Sequence, residues 1–381
     1  DFSRTEFDKA IKLNEVKQRI EFKSKFPLKS LDALLIKIEG EQTKIKESEI
    51  LASGKYPVVT QECEQLISGY TNYDKCITDL PLIVFGDHSC TFKYVDFSFI
   101  RGADGTHLLK VKQSEAITKY LYYYLSSIQI QNKEKYERHF KYLKTIQVPL
   151  PPLEIQQKIV KECEKIDSDC TLAKKNIEKV KNKISKIIDN IQGENKKLGD
   201  LCESYIGLTY KTQSITSDET GIIVLRSSNI QASRLEFNDV VRVNCKIPTR
   251  YFVQKGDVLV CVRNGSKNLL GKSAYIDNLK EPMAFGAFMA ICRGKYGKWI
   301  HCWMKSTHYN TQISELTKTM SVYQLTQKNL LNLLIPMPSF EEQSNIIFQI
   351  EKLENEIEKS QKIISNIAER KRTVIKKYLY E

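Results

Sequence analysis

The chain contains no C-x-x-C pair, although it carries ten cysteines, and its five histidines are dispersed. Structural zinc takes Cys or His at short, regular spacings, so this arrangement argues against a metal site. Disulfides are not indicated either. The cysteines sit among hydrophobic residues, as Cys261 does in LVCV and Cys292 in AICR. Cysteines placed this way behave as small buried hydrophobes in a reducing compartment, which points to the cytoplasm. No apolar run approaches the roughly 18–20 residues of a membrane span, and no signal peptide opens the sequence.

Phosphate-cradling loops are also missing: neither G-x-x-x-x-G-K-[ST] nor G-x-G-x-x-G occurs. A methyltransferase acting on base amino groups would carry an Asn/Asp-Pro-Pro-aromatic motif. Here the only adjacent prolines, Pro151 and Pro152, precede Leu153. GADGTH at 102–107 reads as a glycine-rich turn, and no Ser/His/Asp set has recognisable local context. The expectation is a chain that catalyses nothing alone and holds no cofactor of its own. The first methionine is Met283, so residues upstream of Asp1 are expected, as a short tail or a large further domain.

What is present is basic. Lysine and arginine number 59 against 46 acids, a formal charge of +13. That balance favours a polyanionic partner, nucleic acid first and anionic membrane second. The 381 residues suit two domains, each long enough for its own core.

One junction is written twice. VPLPPLEIQQKIV at 148–160 and IPMPSFEEQSNII at 335–347 match in register through Pro149/Pro336, Pro151/Pro338, Glu154/Glu341 and Gln156/Gln343. The separation is far beyond a solenoid period of roughly 20–50 residues and indicates two copies of a whole domain. Proline sits well at or before a first helical turn, and after each junction apolar residues recur at steps of four and three. The first series is Ile159, Cys163, Ile166, Cys170, Ala173, Ile177, Val180, Ile184, Ile187 and Ile191. The second is Ile346, Ile350, Leu353, Ile357, Ser360, Ile364, Ile367, Lys371, Val374 and Tyr378. This a/d register predicts two long coiled-coil helices, each about 60 Å at 1.5 Å per residue. Antiparallel pairing is the expected arrangement, with a parallel or trimeric self-associating coil as the alternative.

The domains then fall at 27–152 and 196–338, the spacer helices at 153–195 and 339–381, and a segment at 1–26 stands in front. KSLDAL at 29–34 and KKLGDL at 196–201 open the two copies. Short β-rich runs follow: YPVVT at 56–60 and LPLIVFG at 80–86, then GIIVLRSSNI at 221–230, KGDVLVCVRNGS at 255–266 and GKSAYI at 271–276. Helical stretches are read at 114–127 and 299–306, and Gly193 as a stop before the second domain. The fold class is α+β, two tandem domains and two long antiparallel helices in a pseudo-two-fold repeat.

Loops after apolar strands carry the candidate DNA contacts. In the first domain these are His88 and Lys93 in GDHSCTFK, and Arg101, Thr106 and His107 in RGADGTH. Arg138, His139 and Lys141 add a basic–aromatic stretch before the first P-x-P. In the second they are Arg226 and Asn229 in RSSN, and Arg263, Asn264, Lys267 and Lys272 in VRNGSKNLLGKS, with Tyr323 and Gln324. Arg forks onto guanine, Asn pairs with adenine, and Lys holds phosphate.

With these features together, the sequence from about Phe26 onward resembles a type I restriction–modification specificity subunit. The most specific parts are the two proline junctions, the RNGS…GKSAY segment and RHFKYLK. The resemblance implies two target-recognition domains, each reading half of a bipartite sequence in double-stranded DNA. The helices would set the unread gap and dock two methyltransferase (M) subunits. Restriction/translocase (R) subunits would join that core, and S-adenosylmethionine would belong to the methyltransferase partner. The two domains differ strongly in sequence, as reading different half-sites requires. Two alternatives stay open: the recognition part of a single-chain restriction–methyltransferase enzyme, in which the amphipathic 1–27 stretch is a linker, and a non-enzymatic coiled-coil scaffold.

Overall fold

The computed structural model describes residues 23–63, 65–103, 105–128, 139–266, 269–317 and 324–381. The amphipathic stretch read as a linker lies largely outside them. The chain divides into two compact units: Asp1–Ala173 with Lys362–Glu381, and Lys174–Gln361.

The first unit centres on an antiparallel sheet in the order Leu35–Ile36, Thr106–Val111, Leu82–Gly86, Phe92–Val95. In the second unit the order is Glu203–Ile206, Met289–Arg293, Val258–Cys261, Ser273–Tyr275, again antiparallel throughout. The central strand explains the sequence pattern. LIVFG is buried on both faces, and successive side chains of a strand point to opposite sides. Ile83 and Phe85 therefore join the cluster beneath the Thr118–Ser127 helix, while Leu82 and Val84 join a cluster with Val59, Ile77 and Phe99. VLVC repeats the division. Val258 and Val260 meet Trp299 and Trp303 of the Gly297–Trp303 helix, and Leu259 and Cys261 meet Leu225, Phe285 and Ile223. Each unit thus layers a helix, a sheet and a second small sheet. That second sheet holds a parallel pair in both: Tyr56–Val59 with Ile100–Gly102, and Ile222–Leu225 with Met283–Phe285.

A two-stranded clamp closes each domain at its base. Leu28–Ser30 pairs with Gln147–Pro149, and Glu194–Lys197 with Leu334–Met337. Gly193, expected as a helix stop, lies beside the second clamp, where a Cβ would fall 2.7 Å from the Met337 carbonyl carbon and the Pro338 nitrogen. The doubled junction has one structural meaning. The Tyr120 hydroxyl donates to the Pro149 carbonyl, and Trp299 Nε1 donates to Pro336 at 3.0 Å. Gln156 Nε2 turns back to the Pro151 carbonyl at 2.9 Å, and Gln343 Nε2 to that of Pro338 at 2.9 Å. Each of these carbonyls lies just ahead of a helix and off the strand ladder, where it needs a donor, and the repeated glutamine supplies one in each copy.

The helix after the first junction is Leu153–Asp189, 37 residues long; residues up to Ala173 belong to the first unit and the rest to the second. After the second junction Ser339 and Glu342 form a capping box, with Ser339 N–H to Glu342 Oε2 at 3.0 Å and Glu342 N–H to Ser339 Oγ at 3.3 Å. The helix it starts is interrupted, contrary to the continuous heptad run read from the sequence. Phe340–Ser365 ends, Asn366 adopts φ −91° and ψ 0°, and Ile367–Leu379 begins.

Within the first unit the helices run antiparallel. Glu162 pairs with Lys377 at 2.9 Å, Asp167 with Lys371 at 2.5 Å and Asp169 with Arg370 at 2.8 Å, so numbers fall on one helix as they rise on the other. Seam positions Ile159, Cys163 and Ile166 are buried with Val374, Ile375 and Leu379, and Ile367 packs against them. In the second unit Val180, Ile184 and Ile350 are buried with Ile188, and Ile187, Ile346, Leu353 and Ile357 pack around them. Ile177 and Ile364 are half-buried and join neither cluster. The polar seam residues have partners: Ser360 accepts from Asn176 Nδ2 at 3.1 Å, and Lys371 also lies 4.8 Å over the Tyr123 ring.

Candidate nucleic-acid interface

In the first unit the C-terminal end of Leu82–Gly86 and the start of Thr106–Val111 form a crowded rim. The Asp87 N–H donates to the Gly105 carbonyl at 2.7 Å. Gly105 has φ +58°, a left-handed conformation that favours glycine, and a Cβ there would press on the Gln61 amide at 2.7 Å. Asp87 is buried; its Oδ1 accepts the Phe140 N–H at 2.9 Å, and its Oδ2 lies 3.8 Å from His107 Nε2. The His107 and Phe140 rings stack at 4.0 Å with an interplanar angle of 4°. Burial holds the His107 pKa below its usual value, with Asp87 opposing, so the ring is predominantly neutral at pH 7 and offers both a donor and an acceptor.

Arg101 Nη1 donates to the Thr106 carbonyl at 3.3 Å, and its buried Nε has no hydrogen-bond partner among the described residues. His88 is exposed, and its N–H donates to Gln61 Oε1 at 3.1 Å. Thr106 is buried. Lys93 turns inward: it is buried, and its ammonium reaches the Gln65 carbonyl at 2.5 Å. Arg138 lies outside the described residues, as do the side chains of His139 and Lys141.

The second unit builds its rim from different residues. Asn229 is fully buried; its Oδ1 accepts the Arg226 N–H at 2.9 Å, and its Nδ2 donates to the carbonyls of Glu236 at 3.0 Å and Asp239 at 2.9 Å. This amide builds the loop: both of its N–H groups are spent on backbone carbonyls, although the sequence suggested a DNA contact. Arg226 is held by Asp239 at 2.8 Å, with its buried Nε unpartnered among the described residues. Asn264 joins the two loops, its Nδ2 to Ser227 Oγ at 3.2 Å, while its Oδ1 accepts the Ser266 N–H at 2.9 Å. Arg263 is exposed and lies 5.2 Å over the ring of Phe288, itself 55% exposed. A backbone bridge brings Gln324 beside Arg263. Lys272 is half-buried, and its carbonyl accepts the Cys261 N–H at 2.8 Å. Lys267 and Tyr323 lie outside the described residues.

The structure therefore brings together Arg101, His107 and the loop of His88 in one unit, and Arg226, Arg263, Asn264 and Gln324 in the other. Sequence reasoning passed over Phe140 and Phe288, the two aromatic faces of these rims. Phe140 stood inside the basic–aromatic stretch already singled out, whereas Phe288 in AFGAFMA carries no local sign of exposure. Among the described residues no group of three or more His, Cys, Asp or Glu could hold a metal ion, and no helix is long and apolar enough to cross a membrane. Among the described residues no two cysteines are joined by a disulfide.

A family profile described as the type I restriction modification DNA specificity domain matches the sequence twice, over residues 33–182 and 190–368. Curated relatives include the type I restriction enzyme StySPI specificity subunit of Salmonella potsdam and the EcoKI specificity subunit of Escherichia coli K12. Each is 26% identical over 153 residues, 39% of this chain and 33% of the relative; the match spans about a third of their length. Among solved structures, the S subunit of a type I restriction–modification system from M. genitalium aligns over 96% of this chain and 99% of its own. Its TM-score is 0.56 at 17% identity. A structure described by complex assembly and conformational transition of the type I R-M system aligns over 94% and 98%, with TM-score 0.57 and 15% identity.

Proposed function

We propose a function from one premise: this chain belongs to the type I restriction modification DNA specificity family. It acts as the non-catalytic specificity subunit of a type I restriction–modification complex. Each unit's recognition domain reads one half of a bipartite target in double-stranded DNA. The observation that carries this reading is the pair of rims. Two domains of the same central-sheet order place an arginine and a phenylalanine beside the same end of equivalent strands, Leu82–Gly86 and Val258–Cys261, yet with different polar neighbours, Asp87 and His107 in one and Asn264 and Gln324 in the other. One scaffold with two chemistries is what two unlike half-sites demand.

The geometry supports the following roles. Arg263 is braced on Phe288 and exposed, which suits bidentate contact with guanine. Neutral His107, fixed by Asp87 and Phe140, can donate to or accept from a base edge. Arg101 and Arg226 orient the loops, and the net charge of +13 supplies the sequence-independent attraction to phosphate. The long helices set the gap and dock two methyltransferase subunits, which carry S-adenosylmethionine and the methyl transfer to adenine, while restriction/translocase subunits join that core in the cytoplasm.

A nuclease footprint of the chain with its methyltransferase partners tests this directly. Two protected segments flanking a fixed, sequence-indifferent interval are expected. A single continuous footprint whose every position is sequence-sensitive would overturn it.

A further inference from the structure

A three-part joint occurs twice, once in each unit. In the first, Lys119 of the Thr118–Ser127 helix lies 5.1 Å over the ring of Tyr94 and pairs with Glu164 of the long helix at 2.5 Å. In the second, Lys298 of Gly297–Trp303 lies 6.0 Å over Tyr275 and pairs with Glu351 at 3.0 Å. The ring comes from the edge strand of the central sheet in both, Phe92–Val95 and Ser273–Tyr275. The residue after each lysine, Tyr120 or Trp299, is the one that donates to the proline carbonyl at the junction.

We propose that Lys119 and Lys298 are positioning residues that fix the angle at which each recognition domain sits on the helix segment of its own unit. The inference rests on the specificity function above. Its mechanical basis is leverage. Near the junction each helix is held mainly by apolar packing, as Ile159, Cys163 and Ile166 pack with Tyr120 and Leu121 in the first unit, and such non-directional contact leaves a small rotation about the helix open. Glu164 and Glu351 each lie about three turns, roughly 16 Å, beyond the first residue of their helices. A lysine held there between a ring on the sheet and a carboxylate on the helix stops that rotation. Both ion pairs are roughly half exposed, so they contribute little to stability, and holding the fold together does not account for their repetition. Nearby positions diverge between the copies: Tyr122 stands where His301 does, and Ser126 where Lys305 does. The joint is kept in both domains while its surroundings change.

The angle of a recognition domain decides whether both domains can reach their half-sites when the interval changes. The test uses the full chain with its methyltransferase partners, on duplexes carrying the selected target and on duplexes whose interval is one base pair longer or shorter. Lys298→Met keeps the aliphatic stem over Tyr275 and removes the charge; Lys298→Arg keeps both contacts. The expected result is that Lys298→Met weakens binding at the native interval by about two- to fivefold, and reduces discrimination between intervals by a similar factor. Base preference in both half-sites stays unchanged, and Lys298→Arg restores interval discrimination. The proposal is overturned if Lys298→Met discriminates intervals as the parent does, if it alters base preference within a half-site, or if Lys298→Arg behaves like Lys298→Met. A parent protein that enriches no bipartite target would instead sink the specificity reading itself.

Discussion

Replacing the matched glutamines one at a time should expose an asymmetry hidden in the repeat. Gln156 is fully buried; its Oε1 accepts the Ile117 N–H at 2.8 Å, and its Nε2 donates to the carbonyls of Glu115 at 3.2 Å and Pro151 at 2.9 Å. Gln343 makes the corresponding bond to Pro338 and is slightly exposed. Methionine has nearly the same length and shape, so Gln156→Met and Gln343→Met remove hydrogen bonds with little change in volume. A net cost of about 1 kcal/mol per bond gives about 3 kcal/mol for Gln156→Met and about 1 kcal/mol for Gln343→Met.

Urea unfolding separates the two. Both tryptophans, Trp299 and Trp303, lie in the second unit, so their fluorescence follows that unit while far-ultraviolet circular dichroism follows both. With m near 2 kcal/mol/M, Gln156→Met should bring part of the dichroism transition about 1.5 M lower and leave the fluorescence midpoint in place. Gln343→Met should lower the fluorescence midpoint by about 0.5 M. A shift for Gln343→Met equal to or larger than that for Gln156→Met would refute the hydrogen-bond reasoning.

Three further outcomes are expected. Asn229→Ala should destabilise the second unit by about 2–4 kcal/mol, because three backbone groups lose their partner; equal urea midpoints for variant and parent would contradict the loop-building role. Arg263→Ala should leave unfolding unchanged and weaken DNA binding, with relaxed selectivity at one base position, about 1–3 kcal/mol if the contact is to guanine, read by competition with single-base variants of the target. His301 is buried, and burial, helped by Lys305 and opposed by the backbone of Ser233 and Ser273, lowers its pKa to about 3. Its folded pKa lies below the unfolded value, so the stabilisation is complete above about pH 6.5 and is lost as pH falls toward 3. Parent stability should therefore drop by up to about 1.4 kcal/mol per pH unit more than that of His301→Gln in this window, measured by tryptophan fluorescence.

Much of this architecture was legible because it is periodic or repeated. The proline pairs marked both helix starts, and the short apolar, β-branched runs LIVFG and VLVC marked the central strands whose two faces separate the clusters. The break at Asn366 was not legible: Ser365–Asn366–Ile367 contains neither proline nor glycine, and the apolar steps continue through it. For the candidate rims, residue type pointed to polar loops at strand ends but could not give the direction of each side chain. Asn229 and Lys93 have the chemistry of DNA contacts, yet each is drawn inward by backbone carbonyls brought close by the fold, from as far away as Gln65. The Tyr–Lys–Glu joint escapes a linear reading for the same reason, since its members lie on three elements far apart in sequence.

The central claim is that two unlike rims read two halves of one target. It is tested most directly by selecting bound sequences from random duplex DNA with the chain and its methyltransferase partners. The account predicts two short conserved blocks at a fixed separation, one of which changes when Arg263 is replaced while the other does not. Enrichment of no motif, or of one uninterrupted block altered throughout by that replacement, would contradict it.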